Sequence, residues 1–288
     1  MGHAGSMSEL LWYSKPELER PLLIVAFGGW FDAGSCATDS VDHLAGRFGA
    51  HRVAEIDPEE FFDFQEVRPE VSFTEEGERE IRWPSNEIHA ARTEGTHDLL
   101  LLAGVEPRLK WRTFVHNLVE VIDTLGVEMV ITLGAMVAAV PHTRPPRVTA
   151  SSGDPELARR LGLDLPSYQG PTGIVGVIHQ TLGERSVPAV SLRVGVPHYV
   201  SGPSNPKGRQ SLLAELQRVT GVETGHGDLA AAVLEWEERV GSAVAGDPEV
   251  AEYVRGLEEE ADSRAEDEIP TGEHLAAEFE RFLRDLGD

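Results

Sequence analysis

The sequence predicts a three-layer α/β/α sandwich with a mixed, mostly parallel sheet and a helical C-terminal appendage. The first observation is a set of short, nearly continuous apolar runs, typical of strands covered on both faces, at residues 22–27, 97–104, 127–135 and 187–196. The second is that amphipathic helical patterns separate most of these runs, as in a layered α/β fold. The third is size, since 288 residues with 41% hydrophobic content can bury a large core.

The N-terminal elements begin with a buried strand at residues 22–27. A helix follows it, because Ala37, Val41, Leu44, Ala45 and Phe48 recur at helical spacing. Residues 52–56 predict a second strand. Residues 70–92 alternate polar and apolar side chains around Glu76-Gly77, which predicts an antiparallel hairpin that extends the sheet.

The α/β order then returns with a buried strand at residues 97–104. A helix with one apolar face runs from Trp111 to Leu125 and is stopped by Gly126. Further strands are predicted at residues 127–135, 147–152 and 187–196. Between the last two, the glycine-rich sequence GPTGIVG opens a helix that ends near Leu182.

The C-terminal part differs in composition from the rest. Residues 221–288 contain 20 acidic and five basic residues, a net charge of −15 out of −24 for the chain. Helices are predicted from Gly225, from Pro248 and over EHLAAEFERFLRDL at 273–286. We therefore expect an α/β domain at 7–220 and an acidic helical segment at 221–288, acting as a solvated surface or a partner contact. Residues 1–6 resemble an expression remnant, with Met7 the expected natural start.

The overall charge argues against two classes of partner. With 49 Asp and Glu against 25 Lys and Arg, the surface should repel nucleic acid and anionic membranes. No apolar run reaches the length of a membrane span, and no secretory leader is recognisable. The single cysteine, Cys36, excludes an internal disulfide framework and favours a cytoplasmic protein. Its pattern indicates a buried packing residue rather than a nucleophile.

The turn FGGWFDAGS after the first strand resembles a phosphate-binding loop in its glycine spacing. Four residues separate Gly29 from Gly34, as that loop requires, but Ser35 occupies the position of the essential lysine. Two interpretations remain. Asp32 caps the following helix and the glycines serve the turn, or Gly28, Gly29, Asp32 and Gly34 hold a ligand at the helix N-terminus.

Two further regions carry residues suited to a ligand or an interface. The entry to the helix after GPTG offers Gly170, Thr172 and Gly173. The loop at 194–208 leaves the carboxyl end of a strand, where α/β sheets place ligands. With the loop at 135–148, it supplies His142, Arg144, His198, Tyr199, Asn205 and Lys207. His198 could serve as an acid or base, or hydrogen-bond a carbonyl in an interface loop. No catalytic set, metal-ligand motif or cofactor motif is predicted.

Three of these stretches together resemble a known family. FGGWFDAGSCATDSVDHL, YQGPTGIVGVIHQTL and VGVPHYVSGPSNPKG, in this order, resemble the bacterial branch of the PAC2 family, the proteasome assembly chaperone 2-like proteins, and the acidic tail resembles that of actinobacterial members. The resemblance covers residues 22 to 221. It implies a nucleoside phosphorylase-like fold, a homotrimer, and relatives that help to assemble the 20S proteasome by holding its α subunits. The chain ends Leu286-Gly287-Asp288, unlike the tail with a penultimate tyrosine by which some archaeal relatives dock.

The sequence thus supports two functional hypotheses. The first is a non-enzymatic protein-binding protein, a proteasome assembly chaperone or proteasome-interacting factor. The second is a small-ligand-binding protein, or a hydrolase- or phosphorylase-like enzyme for a nucleoside-type substrate. Its pocket would be built from Gly28, Gly29, Asp32, Thr172 and His198.

Overall fold

An eight-stranded mixed sheet forms the centre of the computed structural model, which describes residues 9–74, 76–202 and 204–267. The strands are β1 (Leu10–Trp12), β2 (Leu22–Gly28), β3 (His51–Ile56), β4 (Glu70–Phe73), β5 (Arg79–Arg82), β6 (Asn86–Ala91), β7 (Leu99–Val105), β8 (Met129–Ala138), β9 (Val148–Ser151) and β10 (Ala189–Pro197). The helices are α1 (Cys36–Phe48), α2 (Trp111–Leu125), α3 (Pro155–Leu161), α4 (Ile174–Glu184), α5 (Pro206–Thr220), α6 (Ala230–Ala245) and α7 (Pro248–Asp267). The final helix predicted at 273–286 lies outside the described residues.

The spatial order of the sheet is β1-β3-β6-β7-β2-β8-β10-β9. β7, β2, β8 and β10 pair in parallel, whereas the remaining neighbours pair antiparallel. Five of the eight strands, including β3, therefore point in one direction. This confirms the predicted mixed, mostly parallel sheet.

Helices cover both faces of the sheet and complete the three layers. Alternate residues of β2 point to opposite faces, so that Ile24 packs in the core with α1, α3 and α5, while Leu23 and Val25 pack in the core with α2 and α4. Because both faces are covered, every residue of β2 from 22 to 27 is buried. This is the physical reason for the continuous apolar runs in the sequence.

The hairpin predicted at 70–92 forms, but the expectation that it extends the sheet was wrong. β4 and β5 pair with each other, from Glu70 opposite Arg82 to Phe73 opposite Arg79, as a separate two-stranded sheet. Their apolar side chains remain exposed, Phe73 to 69%. The strand that joins the main sheet is β6, because its alternate residues Ile88 and Ala90 reach the core beneath α2.

The expectation of a loop through residue 208 was also wrong, because α5 begins inside that segment. The Asn205 side chain accepts a hydrogen bond from the Gly208 amide at 2.9 Å, and Pro206 stands at the first helical position. Asn-Pro was the sequence signal for this helix start. Lys207 therefore lies on the first turn of a helix. The short elements β1 and α3 were not predicted.

The acidic C-terminal segment contributes α6 and α7, which pack against each other and, through α6, against α5. Val233 and Trp236 of α6 and Val254 and Leu257 of α7 are buried, which fixes the appendage to the α/β core. In the part of the chain that the structure describes, no helix has the length and apolar character needed to span a membrane.

Candidate functional site

The candidate residues lie at one edge of the sheet, where β2, β7, β8 and β10 reach their carboxyl ends. This carboxyl edge is the region in which open α/β sheets hold ligands. The turn after β2 follows the edge through Gly29, whose φ of +141° favours glycine. It then returns to β8, where the Ala135 amide donates to the Phe31 carbonyl at 2.8 Å.

Asp32 caps α1, the first of the two roles that the sequence allowed. One carboxylate oxygen accepts from the amides of Ala37 at 2.8 Å and Thr38 at 3.3 Å. The other accepts from the Thr38 hydroxyl at 2.5 Å. The free amides at the start of α1, which could have held an anion, are therefore satisfied by the chain's own carboxylate.

A second carboxylate, Glu106, occupies the start of α4 and was missed by sequence reasoning. Its side chain accepts from the Ile174 amide at 3.2 Å, and its own amide donates to the Gly28 carbonyl at 3.1 Å. A β-carbon on Gly173 would lie 2.9 Å from the same carboxylate. Glu106 thus joins the two glycine-rich stretches. Its only sequence signal was an acidic residue just after a buried strand.

These two carboxylates decide the electrostatics of the carboxyl edge. A phosphate needs free amide donors and a cation, but both helix N-termini here already hold a negative charge. Asp32 and Glu106 would repel a phosphate at this edge. The geometry thus argues against a nucleotide site built on Gly28 and Gly29.

Thr172 and Gly170 lie in the exposed loop that leads to α4. The Thr172 hydroxyl donates to the neighbouring Gly173 carbonyl at 3.4 Å. Gly170 has a φ of +154°, and a β-carbon there would lie 2.6 Å from the Tyr168 hydroxyl. Both residues shape the loop.

Gly34 and Asn205 bring the starts of α1 and α5 together. The Asn205 amide donates to the Gly34 carbonyl at 3.0 Å, and a β-carbon on Gly34 would lie 3.0 Å from that of Asn205. Cys36 is fully buried in the same contact, and its Sγ would be 2.6 Å from a β-carbon on Gly208. Burial raises the pKa of the Cys36 thiol to about 12, which makes it a packing residue and a poor nucleophile.

His142, Tyr199 and Lys207 form a hydrogen-bonded cluster in which His142 is buried and the other two residues are partly buried. The Tyr199 hydroxyl accepts from the His142 amide at 2.7 Å and lies 2.9 Å from Nδ1 of the same residue. Burial lowers the pKa of His142, which fits a neutral ring that accepts from Tyr199. Lys207 donates to the His142 carbonyl at 2.6 Å and forms a salt bridge with Glu237 of α6.

Arg144 and His198 face the C-terminal helices. Arg144 holds Asp262 of α7 through two hydrogen bonds of 2.7 and 2.8 Å, a bidentate pair. The His198 ring lies 3.2 Å from the Ala138 carbonyl and packs edge-on against Tyr253 of α7. These side chains attach α6 and α7 to the carboxyl edge.

Two groups of candidate residues are held together by these contacts. One joins Gly28, Gly29 and Gly173 through Glu106, and the other surrounds His142. His198 belongs to the second group, and in the described chain none of its hydrogen bonds or ring contacts involves Gly28, Asp32 or Thr172. The cavity beside His142 and Lys207 measures only about 10 Å³, close to the space of one water molecule.

No group of three or more His, Cys, Asp or Glu residues suited to a metal ion occurs within 9–74, 76–202 and 204–267. A cavity of about 310 Å³ lies between α1 and the sheet, away from the predicted site residues. It is lined by Val41, Asp42, Ala45, Gly46, Ala50, His89, Leu101 and Ala103.

Exposed apolar side chains also stand at the carboxyl edge. Trp30, beside the contact between Phe31 and Ala135, is 92% exposed, and Met136 and Val137 at the end of β8 are exposed as well. We call Trp30, Met136 and Val137 the edge patch; Met136 and Val137 are consecutive on β8 and therefore point to opposite faces of the sheet. Exposed apolar groups of this kind are typical of protein-interaction surfaces.

Comparison with known proteins gives a consistent result. The sequence matches the family model described as the PAC2 family over residues 26–244. A PAC2 family protein from Streptomyces avermitilis is 41% identical, with a TM-score of 0.76, covering 81% of this chain and 99% of that one. A proteasome-assembly chaperone homologue from Mycobacterium tuberculosis is also 41% identical, with a TM-score of 0.74 and the same coverage.

A more distant structure extends the likeness of fold. An archaeal proteasome activator from Pyrococcus furiosus is 17% identical, with a TM-score of 0.64, covering 81% of this chain and 97% of that one. At this identity the likeness concerns the fold alone. A search of the curated proteins finds no match.

Proposed function

The chain belongs to the PAC2 family, and from this premise we propose that it is a non-enzymatic, protein-binding factor that assists proteasome assembly or interacts with the proteasome. Its partner is proposed to be an α subunit of the 20S proteasome. Support comes from the Mycobacterium relative, which is described as a proteasome-assembly chaperone homologue.

The observation that carries the proposal is the edge patch. A large aromatic side chain that is 92% exposed gains from burial against a partner. The neighbouring helix N-termini are closed by Asp32 and Glu106, so that the edge is better suited to a protein surface than to a small anion. Trp30 is thus the proposed centre of the docking surface.

Two further properties belong to the same proposal. The protein is proposed to act in the cytoplasm, as the single cysteine suggests. It is proposed to form a homo-oligomer, with a trimer as the form that the family resemblance implies. Light scattering of the purified protein measures the second property directly.

The test is a binding titration with purified actinobacterial proteasome α subunits at low and at physiological salt. Wild-type protein is expected to bind, and Trp30→Ala is expected to weaken binding by roughly 10- to 100-fold, the usual effect of removing a central aromatic anchor. Phe73→Ala is the matched control, because Phe73 is an exposed aromatic residue on the separate β4–β5 hairpin.

The outcomes separate the function from the docking surface. If wild-type protein fails to bind α subunits at either salt concentration, the proposed partner is wrong. If it binds and Trp30→Ala binds equally well, the edge patch is not the docking surface. A parallel panel of nucleosides, nucleotides and phosphate is expected to leave the thermal unfolding midpoint unchanged, and stabilisation by any of them would favour the ligand-binding alternative.

A further inference from the structure

Arg193, which has no salt-bridge partner among the described carboxylates, lies on the face of the sheet that α4 covers. Leu192 and Val194 of β10 point into the core with α1 and α5, so that Arg193 between them points to the opposite face. It is half-buried there. Among the described residues, Nη2 is the guanidinium nitrogen that bonds to protein, donating to the Ser151 hydroxyl at 3.2 Å.

One nitrogen of the Arg193 guanidinium, Nε, is buried without a hydrogen-bond partner among the described residues. Arg193 forms no salt bridge with any described carboxylate, although the chain holds 49 Asp and Glu residues. Arg144, Arg185 and Arg218, by contrast, all have acidic partners. A half-buried guanidinium costs free energy unless an anion pairs with it.

The neighbours of Arg193 in the strand pairing are small or polar, and the acidic residue Asp164, which pairs with Ser151 in an isolated β-bridge, forms no salt bridge with it among the described residues. Thr149 of β9 lies directly opposite Arg193 in the strand register, and Ser191 lies opposite Ser151. On the other side, Gly134 of β8 is paired with Arg193 and is covered by the Phe31 ring. The hydroxyls of Thr149 and Ser191 remain available as donors.

His179 of α4 completes this environment. Its Nε2 lies 2.8 Å from the Thr132 hydroxyl on β8. Burial and the nearby charge of Arg193 lower the pKa of His179 to about 4, so that the ring is neutral at physiological pH. The site therefore offers the Arg193 charge beside hydroxyls and a neutral imidazole, with the acidic residue Asp164 in the adjoining chain segment.

We propose that Arg193 is the centre of a carboxylate-binding site formed by β8, β9, β10 and α4. A carboxylate matches the planar fork of a guanidinium, can accept from Nη1 and Nη2 together, and leaves oxygen lone pairs for the neighbouring hydroxyls. The carboxylate comes from a free small molecule or from an acidic side chain of a second copy of the chain. The proposal does not depend on the chaperone function.

The test uses the full chain with sodium malonate as the probe, against sodium chloride at equal ionic strength. Malonate is expected to raise the thermal unfolding midpoint of wild-type protein. Arg193→Met should weaken the apparent affinity by roughly tenfold or more, the usual value of hydrogen bonds to a charged group. Arg193→Lys keeps the positive charge but not the planar guanidinium, so its apparent affinity for malonate should lie between those of wild type and Arg193→Met. Arg185→Met, an exposed site with the same charge change, should behave as wild type.

A second measurement, molar mass by light scattering, distinguishes the two sources of the carboxylate. Malonate binding that is lost in Arg193→Met supports a free ligand. No malonate effect, with a lower molar mass in Arg193→Met, supports an acidic side chain of a second copy. If malonate acts no differently from chloride and Arg193→Met keeps its molar mass, the proposal is overturned. It is also overturned if Arg193→Met keeps its molar mass and lowers the midpoint equally with and without malonate, because Arg193 then serves only its bond to Ser151.

Discussion

The protein is expected to lose stability between pH 8 and pH 5.5, and replacing His179 with glutamine is expected to make that loss smaller. In the folded protein, burial and then the charge of Arg193 lower the pKa of His179 from 6.5 to about 4. The unfolded chain takes up the proton near pH 6.5, but the folded chain does so only near pH 4. The contribution of His179 to stability is therefore complete above pH 6.5 and falls as the pH is lowered through this window.

The size of the effect follows from the displacement of the pKa. At pH 5.5 the linkage relation gives a loss of about 1 kcal/mol in the free energy of unfolding, which grows to about 3 kcal/mol below pH 4. Glutamine does not titrate, and its amide retains a hydrogen-bonding group for Thr132. His179→Gln should therefore lose about 1 kcal/mol less than wild type between pH 8 and pH 5.5.

The assay is urea unfolding followed by tryptophan fluorescence at both pH values. His142 and the carboxylates titrate in wild type and variant alike, so that the difference between the two proteins isolates His179. His116→Gln, at an exposed position on α2, is the control and should lose as much stability as wild type. Equal losses in wild type and His179→Gln would show that His179 is not buried as a neutral ring.

Four further outcomes are expected. Gly34→Ala should lower the free energy of unfolding by about 1–2 kcal/mol, because φ is +61° and the β-carbon would press on Asn205. Its control is Gly46→Ala, in open space within α1, which should raise the free energy of unfolding by roughly 0.5–1 kcal/mol in the same urea titration. Glu106→Ala should cost about 1 kcal/mol through loss of the α4 cap, and an unchanged urea midpoint would contradict that role. Lys207→Met should speed hydrogen exchange in α6, because it removes the salt bridge with Glu237, whereas unchanged exchange would mean that apolar packing alone holds the helix. Cys36 should resist a thiol reagent until the protein is denatured, and rapid labelling of the native protein would refute its burial.

Several of these expectations depend on which groups the charged side chains of the carboxyl edge bind. Asp32 and Glu106 satisfy helix N-termini, and Lys207 and Arg144 hold the C-terminal helices. Many of the polar side chains that the sequence suggested as ligand contacts thus bind other groups of the same chain. The apolar edge patch remains exposed, and this favours a protein partner over a small anion.

The amino-acid sequence by itself determined most of the elements. Continuous apolar runs predicted β2, β7, β8 and β10, and helical spacing predicted α1 and α2, because these patterns record burial within one short segment. The Asp32 cap and the packing role of Cys36 were also readable, since each depends on neighbours in the chain. The start of α5 was available in Asn205-Pro206, although it was predicted as loop.

Only the tertiary structure decided which segments meet. Glu106 caps a helix that begins 68 residues later, and Arg144 pairs with Asp262 across 118 residues. The β4–β5 hairpin separates from the main sheet although its alternation resembles that of a sheet strand. Such outcomes depend on the order of strands and on which surfaces compete for burial. Periodicity within a segment records that a side chain is buried, but it does not record what covers it.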